Sequence, residues 1–140
     1  MADLLDGLAL YLEGLGLLEY DPDGMTGDAF IDTMPSSPDV AVALSCYGGP
    51  EADSKLGWDE PSVQVRVRGG PDPRVSRDRC AAIRSALHGL GPITLPDGTF
   101  LQLCIAIQGA PATLGVDDNG RHEHVVNYRC EIRSVTAHRV

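Results

Sequence analysis

Apolar and polar positions alternate with changing period along this chain, and the changes mark out its elements. Leu4, Leu5, Leu8, Leu12 and Leu15 recur at the spacing of one helical face, with Asp6 and Glu13 off that face. Asp3 stands where an N-cap is needed and Gly16 near where the helix should stop, so a first helix is expected there. Residues 20–38, with Asp-Pro-Asp-Gly at 21–24 and Ser-Ser-Pro at 36–38, read as a long loop holding a short strand at Ala29–Ile31. DVAVALSCY (39–47) is nearly continuous in apolar character, which predicts a central strand. The Gly-, Pro- and acid-rich run 48–61 then reads as a flexible loop or arm.

Val63, Val65 and Val67 alternate with Gln64, Arg66 and Arg68, a half-buried strand with two arginines on its outer face. Asp72 and Pro73 open a second helix over 73–89, expected to bury Val75, Ala82, Ile83, Ala86, Leu87 and Leu90 and to leave Arg84 wet. Pro-Asp-Gly-Thr (96–99) joins Ile93–Leu95 to Phe100–Gln108 as a hairpin. Residues 109–121 read as a loop, and His122–Ala137 as a long strand with Val126, Tyr128, Cys130 and Ile132 on one face. The order helix, strand, strand, helix, hairpin, strand predicts one α+β domain over 1–140: a mixed, largely antiparallel sheet with two helices packed on one face.

Charge changes the picture more than overall composition does. The 140 residues carry a net charge of −9, but residues 1–60 hold 13 acids and a single base, Lys55, while residues 61–140 hold 10 arginines and 7 acids. A nucleic-acid-binding domain ordinarily shows a net basic surface, the reverse of this balance. Oppositely charged halves suit head-to-tail association of copies, or a surface that repels DNA. Arg66, Arg68, Arg129 and Arg133 are expected to form a basic patch on one sheet face, with Trp58 as an interface anchor in its acidic loop. Widely spaced Cys46, Cys80, Cys104 and Cys130 read as buried thiols of a reducing compartment. The acidic leucine-rich start is not a secretory signal, and no run approaches a membrane span.

Catalytic signatures are weak. His122 and His124, at i and i+2 on a strand, would project from one face as metal ligands do, with Asp117 or His138 as a third. His-x-His without a second spaced cluster does not define such a centre, so neither metal nor cofactor is expected. Asp21 and Asp23 open like a calcium loop but lose its register at Met25 and Thr26. No phosphate-binding loop or nucleophile elbow is present.

Resemblance carries further. SPDVAVALSCYGGP (37–50), VQVRVRG (63–69), RCAAIRSALHGL (79–90) and LGVDDNGRHEHVVNY (114–128), in this order and spacing, resemble the minor capsid or tail terminator family of long-tailed bacteriophages. That resemblance implies a structural virion protein at the tail–neck junction, assembled in the host cytoplasm. It implies a ring, generally of six copies, that caps the head-proximal end of the tail tube. Its partners would be other copies, the tail tube protein and the neck or head–tail connector, with genomic DNA passing through the lumen unbound and no membrane contact. Loops 48–61 and 109–121, the latter with Asp117 and Asp118, are then the expected docking segments. Two alternatives stay open: another neck component or adaptor of the same architecture, and a small metal-dependent enzyme centred on His122 and His124.

Overall fold

The computed structural model describes residues 3–140. Helix α1 (Leu4–Gly14) starts where the Asp3 carboxylate accepts the Leu5 N–H, and ends at Leu15 before Gly16 turns left-handed at φ 76°. Leu4, Leu5, Leu8 and Leu12 are buried as the spacing requires, but Leu15, past the last turn, lies on the surface. Eight strands follow in chain order: β1 (Ala29–Ile31), β2 (Ala41–Cys46), β3 (Trp58–Asp59), β4 (Ser62–Arg68), β5 (Ile93–Thr94), β6 (Phe100–Ala106), β7 (Ala112–Val116) and β8 (His122–Arg133). Helix α2 (Pro73–Leu87) falls between β4 and β5, capped by Asp72 with Pro73 in its first turn.

Sheet order is β1-β2-β4-β8-β6-β5, antiparallel except for the parallel β1–β2 pair. The strand expected to be central, β2, is therefore second from an edge, and the centre belongs to β8. One edge of β8 is paired by β4 along residues 123–129 and by β3 at Ile132 and Arg133. Its other edge is paired by β7 along 122–125 and by β6 along 128–132. The sequence expectation ran this strand to Ala137, but after Arg133 the chain folds back: the Val140 N–H donates to Lys55 and the Val140 carbonyl accepts from Gly57. Residues 48–61 are thus an arm tied down by the last residues and containing β3, and residues 109–121 contain β7.

The alternation of β4 sets the core. Val63, Val65 and Val67 are fully buried, opposite Tyr128, Val126 and His124 on one side and Cys46, Leu44 and Val42 on the other. Both helices pack onto this same cluster, α1 through its leucines and α2 through Cys80, Ile83 and Leu87. Each fully buried Leu or Val stabilises the fold by about 1.5–3 kcal/mol. The buried stripe of α2 is Ser76, Cys80, Ile83 and Leu87, so Val75 and Ala82, expected inside, are exposed. The cause is polar: Ser76 points inward because the buried His124 ring accepts it as a hydrogen-bond partner at 2.7 Å. Arg84 is half-buried, donating to the Gln108 carbonyl at 3.0 Å.

Gly7 marks the closest approach of α1 to the β5–β6 turn. A Cβ there would collide with the Asp97 carboxylate, which already accepts the Asp3 and Thr99 N–H groups and the Thr99 hydroxyl. Gly14, on the same helix, faces open space. Replacing a helical Gly by Ala normally stabilises by about 0.5–1 kcal/mol. Chemical denaturation should therefore show Gly14→Ala gaining about that amount and Gly7→Ala losing about 1–3 kcal/mol, because the collision outweighs the propensity gain.

Candidate functional site

The face of the sheet turned away from the helices carries Ser45, Gln64, Arg66, Asn127 and Arg129, by the alternation of β2, β4 and β8. Arg66 Nε lies 3.1 Å from Glu123 Oε1, and the Gln64 amide donates to Asn127 at 3.3 Å. Arg129 is exposed beside them. Arg68 does not belong to this patch, contrary to the sequence expectation. It is only 3% exposed, and its guanidinium donates to the carbonyls of Asp39 (2.9 Å), Pro35 (2.7 Å) and Pro38 (2.6 Å). Strand alternation put Arg68 on the outer face correctly, but the 35–39 segment covers that end of the face. Burial, then the neighbouring Arg121, pull its pKa below the usual arginine value.

Arg121 clamps the same segment from the other side. It donates to the Ser36 carbonyl at 2.6 Å and pairs with Asp39 at 3.2 Å, while its Nε holds Asp117 at 2.8 Å. Asp117 shapes the β7–β8 turn by accepting the Asn119 and Arg121 N–H groups, both at 2.9 Å. The Arg121 N–H, followed by its guanidinium, keeps that carboxyl below its usual range. Asp117 is therefore engaged inside its own hairpin, and Asp118 stands exposed at the turn. Arg133 is committed as well, bonded to the Gly57 and Val140 carbonyls at 3.0 Å and stacked 5.4 Å over the Trp58 ring. Trp58 meets Phe100 edge-on at 6.1 Å and remains partly exposed.

The two histidines do not act together. His124 is buried beneath α2 with Nδ1 bonded to Ser76, whereas His122 is only half-buried. Asp117, one third ligand considered, is held by Arg121. Among the described residues no group of three or more His, Cys, Asp or Glu side chains is placed to share a metal ion. No helix among them is long and apolar enough to cross a membrane. Of the four thiols, Cys80, Cys104 and Cys130 are buried as expected, but Cys46 at the end of β2 is exposed. It lines a groove of about 670 Å³ between the start of α1 and the 48–61 arm, with Leu4, Pro50, Pro61 and Ile132.

Sequence reasoning missed a strand that carries exposed apolar side chains. Strand β7 is exposed along its length and, among the described residues, pairs only with β8, which leaves its other edge open. Leu114 and Val116 on it, and Ile107 before it, are 52%, 56% and 59% exposed. The signal was present: Asp-Asn-Gly is a hairpin turn, and a hairpin turn needs a strand on both sides.

The opposite charges of the two halves of the chain also meet within one molecule. Asp28 pairs with Arg79 at 2.7 Å, Asp39 with Arg121 at 3.2 Å and Asp59 with Arg139 at 2.7 Å. Each bridge ties a loop of the first sixty residues to a helix, turn or tail of the rest.

Among the described residues, polar side chains largely brace the protein's own loops, and the elements left free are a strand edge and exposed apolar side chains. A family model for bacteriophage tail terminator proteins matches residues 11–133. The chain belongs to that family, and with it to the structural components of the phage virion. No curated protein sequence matches the chain significantly.

Two outcomes follow from this geometry. Removing Arg68 leaves three carbonyls of the 35–39 segment without their donor, so Arg68→Ala should cost about 2–4 kcal/mol in urea titrations, with no rescue by Lys, whose single ammonium cannot span them. Arg129→Ala should stay within about 0.5 kcal/mol. For His124, burial, then Arg77 and His122, hold the pKa below the ordinary 6.5. The unfolded chain then takes the proton first, so stability should fall as pH drops below about 6.5, by at most about 1.4 kcal/mol per pH unit, until the folded pKa is reached. His124→Gln should flatten that segment of the curve, leaving intact the later acid loss from the depressed carboxyls of Asp59 and Asp117.

Proposed function

We propose that the protein is the ring that ends the tail tube at its head-proximal end, stopping tube polymerisation and providing the surface on which the neck or head–tail connector docks. The observation that carries this reading is the family match spanning residues 11–133. Six copies close the ring head to tail, and genomic DNA passes through the lumen without specific contacts. Two features of the fold support it. Strand β7 leaves a hydrogen-bonding edge open and carries exposed Leu114 and Val116, a surface suited to another chain. Most of the thirteen acids in residues 1–60 are not among the bridges to Arg79, Arg121 and Arg139, and an acidic surface facing the lumen would keep DNA phosphates from adhering.

Within this reading β7 and the 48–61 arm with Trp58 meet the tube or the neck, and Arg66 and Arg129 lie at subunit contacts. Arg68 and Arg133 are left out, since both are engaged inside the chain.

Light scattering across a concentration series should give a six-copy mass near ~90 kDa from the 14.9 kDa chain. Arg66→Glu combined with Arg129→Glu should lower the mass toward one copy with circular dichroism unchanged, whereas Leu114→Asp combined with Val116→Asp should leave the mass at six copies and block addition to tube ends. A wild-type mass fixed at one copy, with no protein added at the ends of tube polymers by electron microscopy, would exclude the ring.

A further inference from the structure

Cys104 on β6 and Cys130 on β8 stand directly opposite each other in the antiparallel ladder, their sulfurs 3.7 Å apart. Neither residue donates its backbone N–H across the pair. The Cys104 N–H goes to the Leu90 carbonyl at 2.8 Å, its own carbonyl accepts Gly89 at 2.7 Å, and the Cys130 N–H goes to Pro61 at 3.1 Å. This is a non-hydrogen-bonded position, where facing Cα atoms lie about 4.5 Å apart and side chains are closest. That separation falls at the short end of the ~4.4–6.8 Å a disulfide spans, so the bond needs side-chain rotation and little backbone movement.

We propose that Cys104 and Cys130 are a dithiol–disulfide couple, and that a small disulfide oxidant converts them to a cross-strand bond stapling β6 to β8. The first thiol gives up its proton and its sulfur attacks oxidised glutathione, forming a mixed disulfide and releasing one glutathione thiolate. The second, likewise deprotonated, attacks the protein sulfur of that mixed disulfide and releases the other. Two protein thiols are oxidised, one glutathione disulfide is reduced to two thiols, and the two protons end on the glutathione sulfurs.

Both thiols are fully buried. The hydrogen bond to Cys104, together with burial, pushes the Cys130 pKa far above its usual value, and in the closed fold both sulfurs are shut away from a dissolved oxidant, so the pair is slow to react. Exchange proceeds when the segment bonded to the outer edge of β6, through Gly89 and Leu90 at Cys104 and through Ile93 and Thr94 in β5, opens, or during folding. The staple would fall just beyond the register shift between Leu101 and Leu103. It would fix β6 where its ladder is irregular and close a loop that contains the whole β7 hairpin.

The full-length chain is refolded at pH 8 in buffers of graded oxidised-to-reduced glutathione, quenched with an alkylating agent and mapped by mass spectrometry. Oxidising buffers should leave Cys46 and Cys80 alkylated and yield a peptide cross-linked through Cys104 and Cys130. The melting midpoint should rise by roughly 10 °C and return on dithiothreitol treatment. Cys46→Ser with Cys80→Ser should retain both the cross-link and the shift, and Cys104→Ser should show neither. Four alkylated cysteines in natively folded protein at the most oxidising ratio would overturn the proposal. So would a cross-link through Cys46 or Cys80 in place of this pair, or an oxidised form that melts no higher than the reduced one.

Discussion

Strand β8 is paired on both edges over its length, and the rest of the molecule is arranged to satisfy it. An unpaired N–H or carbonyl at the centre of a sheet carries a desolvation penalty that side-chain burial does not remove. Twelve residues of β8 therefore need two long runs of partner chain, and no single strand here is long enough to supply either. The chain solves this twice in the same way. Residues 58–68 run along one edge as β3 and β4, interrupted at Glu60 and Pro61, and residues 100–116 run along the other as β6 and β7, interrupted at 107–111. The interruptions let each run follow the twist of β8, and the second of them carries the exposed Ile107.

Once β8 is in place, the arginines act as tethers. Arg68 and Arg121 hold the 35–39 segment by its carbonyls, Arg79 holds the loop at Asp28, and Arg139 holds the 48–61 arm at Asp59. A guanidinium is suited to this because its planar fork meets several carbonyl and carboxylate oxygens at once. The charge contrast between the two halves of the chain thus has a use inside one molecule before any neighbour is involved. Long acidic loops low in apolar residues would otherwise have little to hold them against the sheet.

Local chemistry made much of the fold readable from the residues. Asp3 and Asp72 announced their helices by capping, and Val63, Val65 and Val67 announced a strand by alternation, because both signals depend on neighbours in sequence. The failures came where a distant segment decides the outcome. Alternation places Arg68 on the outer face but says nothing of the loop that lies over it. The rotation of α2 depends on Ser76 finding His124, forty-eight residues away. β7 went unread as a strand because Gly115 breaks its alternation, although the segment that contains it, 109–121, was already an expected docking loop. The family resemblance was legible in the order of four segments, since order and spacing survive where single residues do not decide.

Gly115 also determines what the open edge of β7 can do. At φ 89° it forms a bulge between Thr113 and Gly115 in the β7–β8 register, and its N–H turns inward to the Thr113 hydroxyl at 3.0 Å. The edge is thereby cut into two short stretches instead of one flat template. Such an edge can accept a neighbour shaped to the break, but it cannot be copied strand upon strand as a regular edge can. An exposed apolar strand of this kind would ordinarily be an invitation to fibres. Here one glycine removes the flat template that runaway stacking needs.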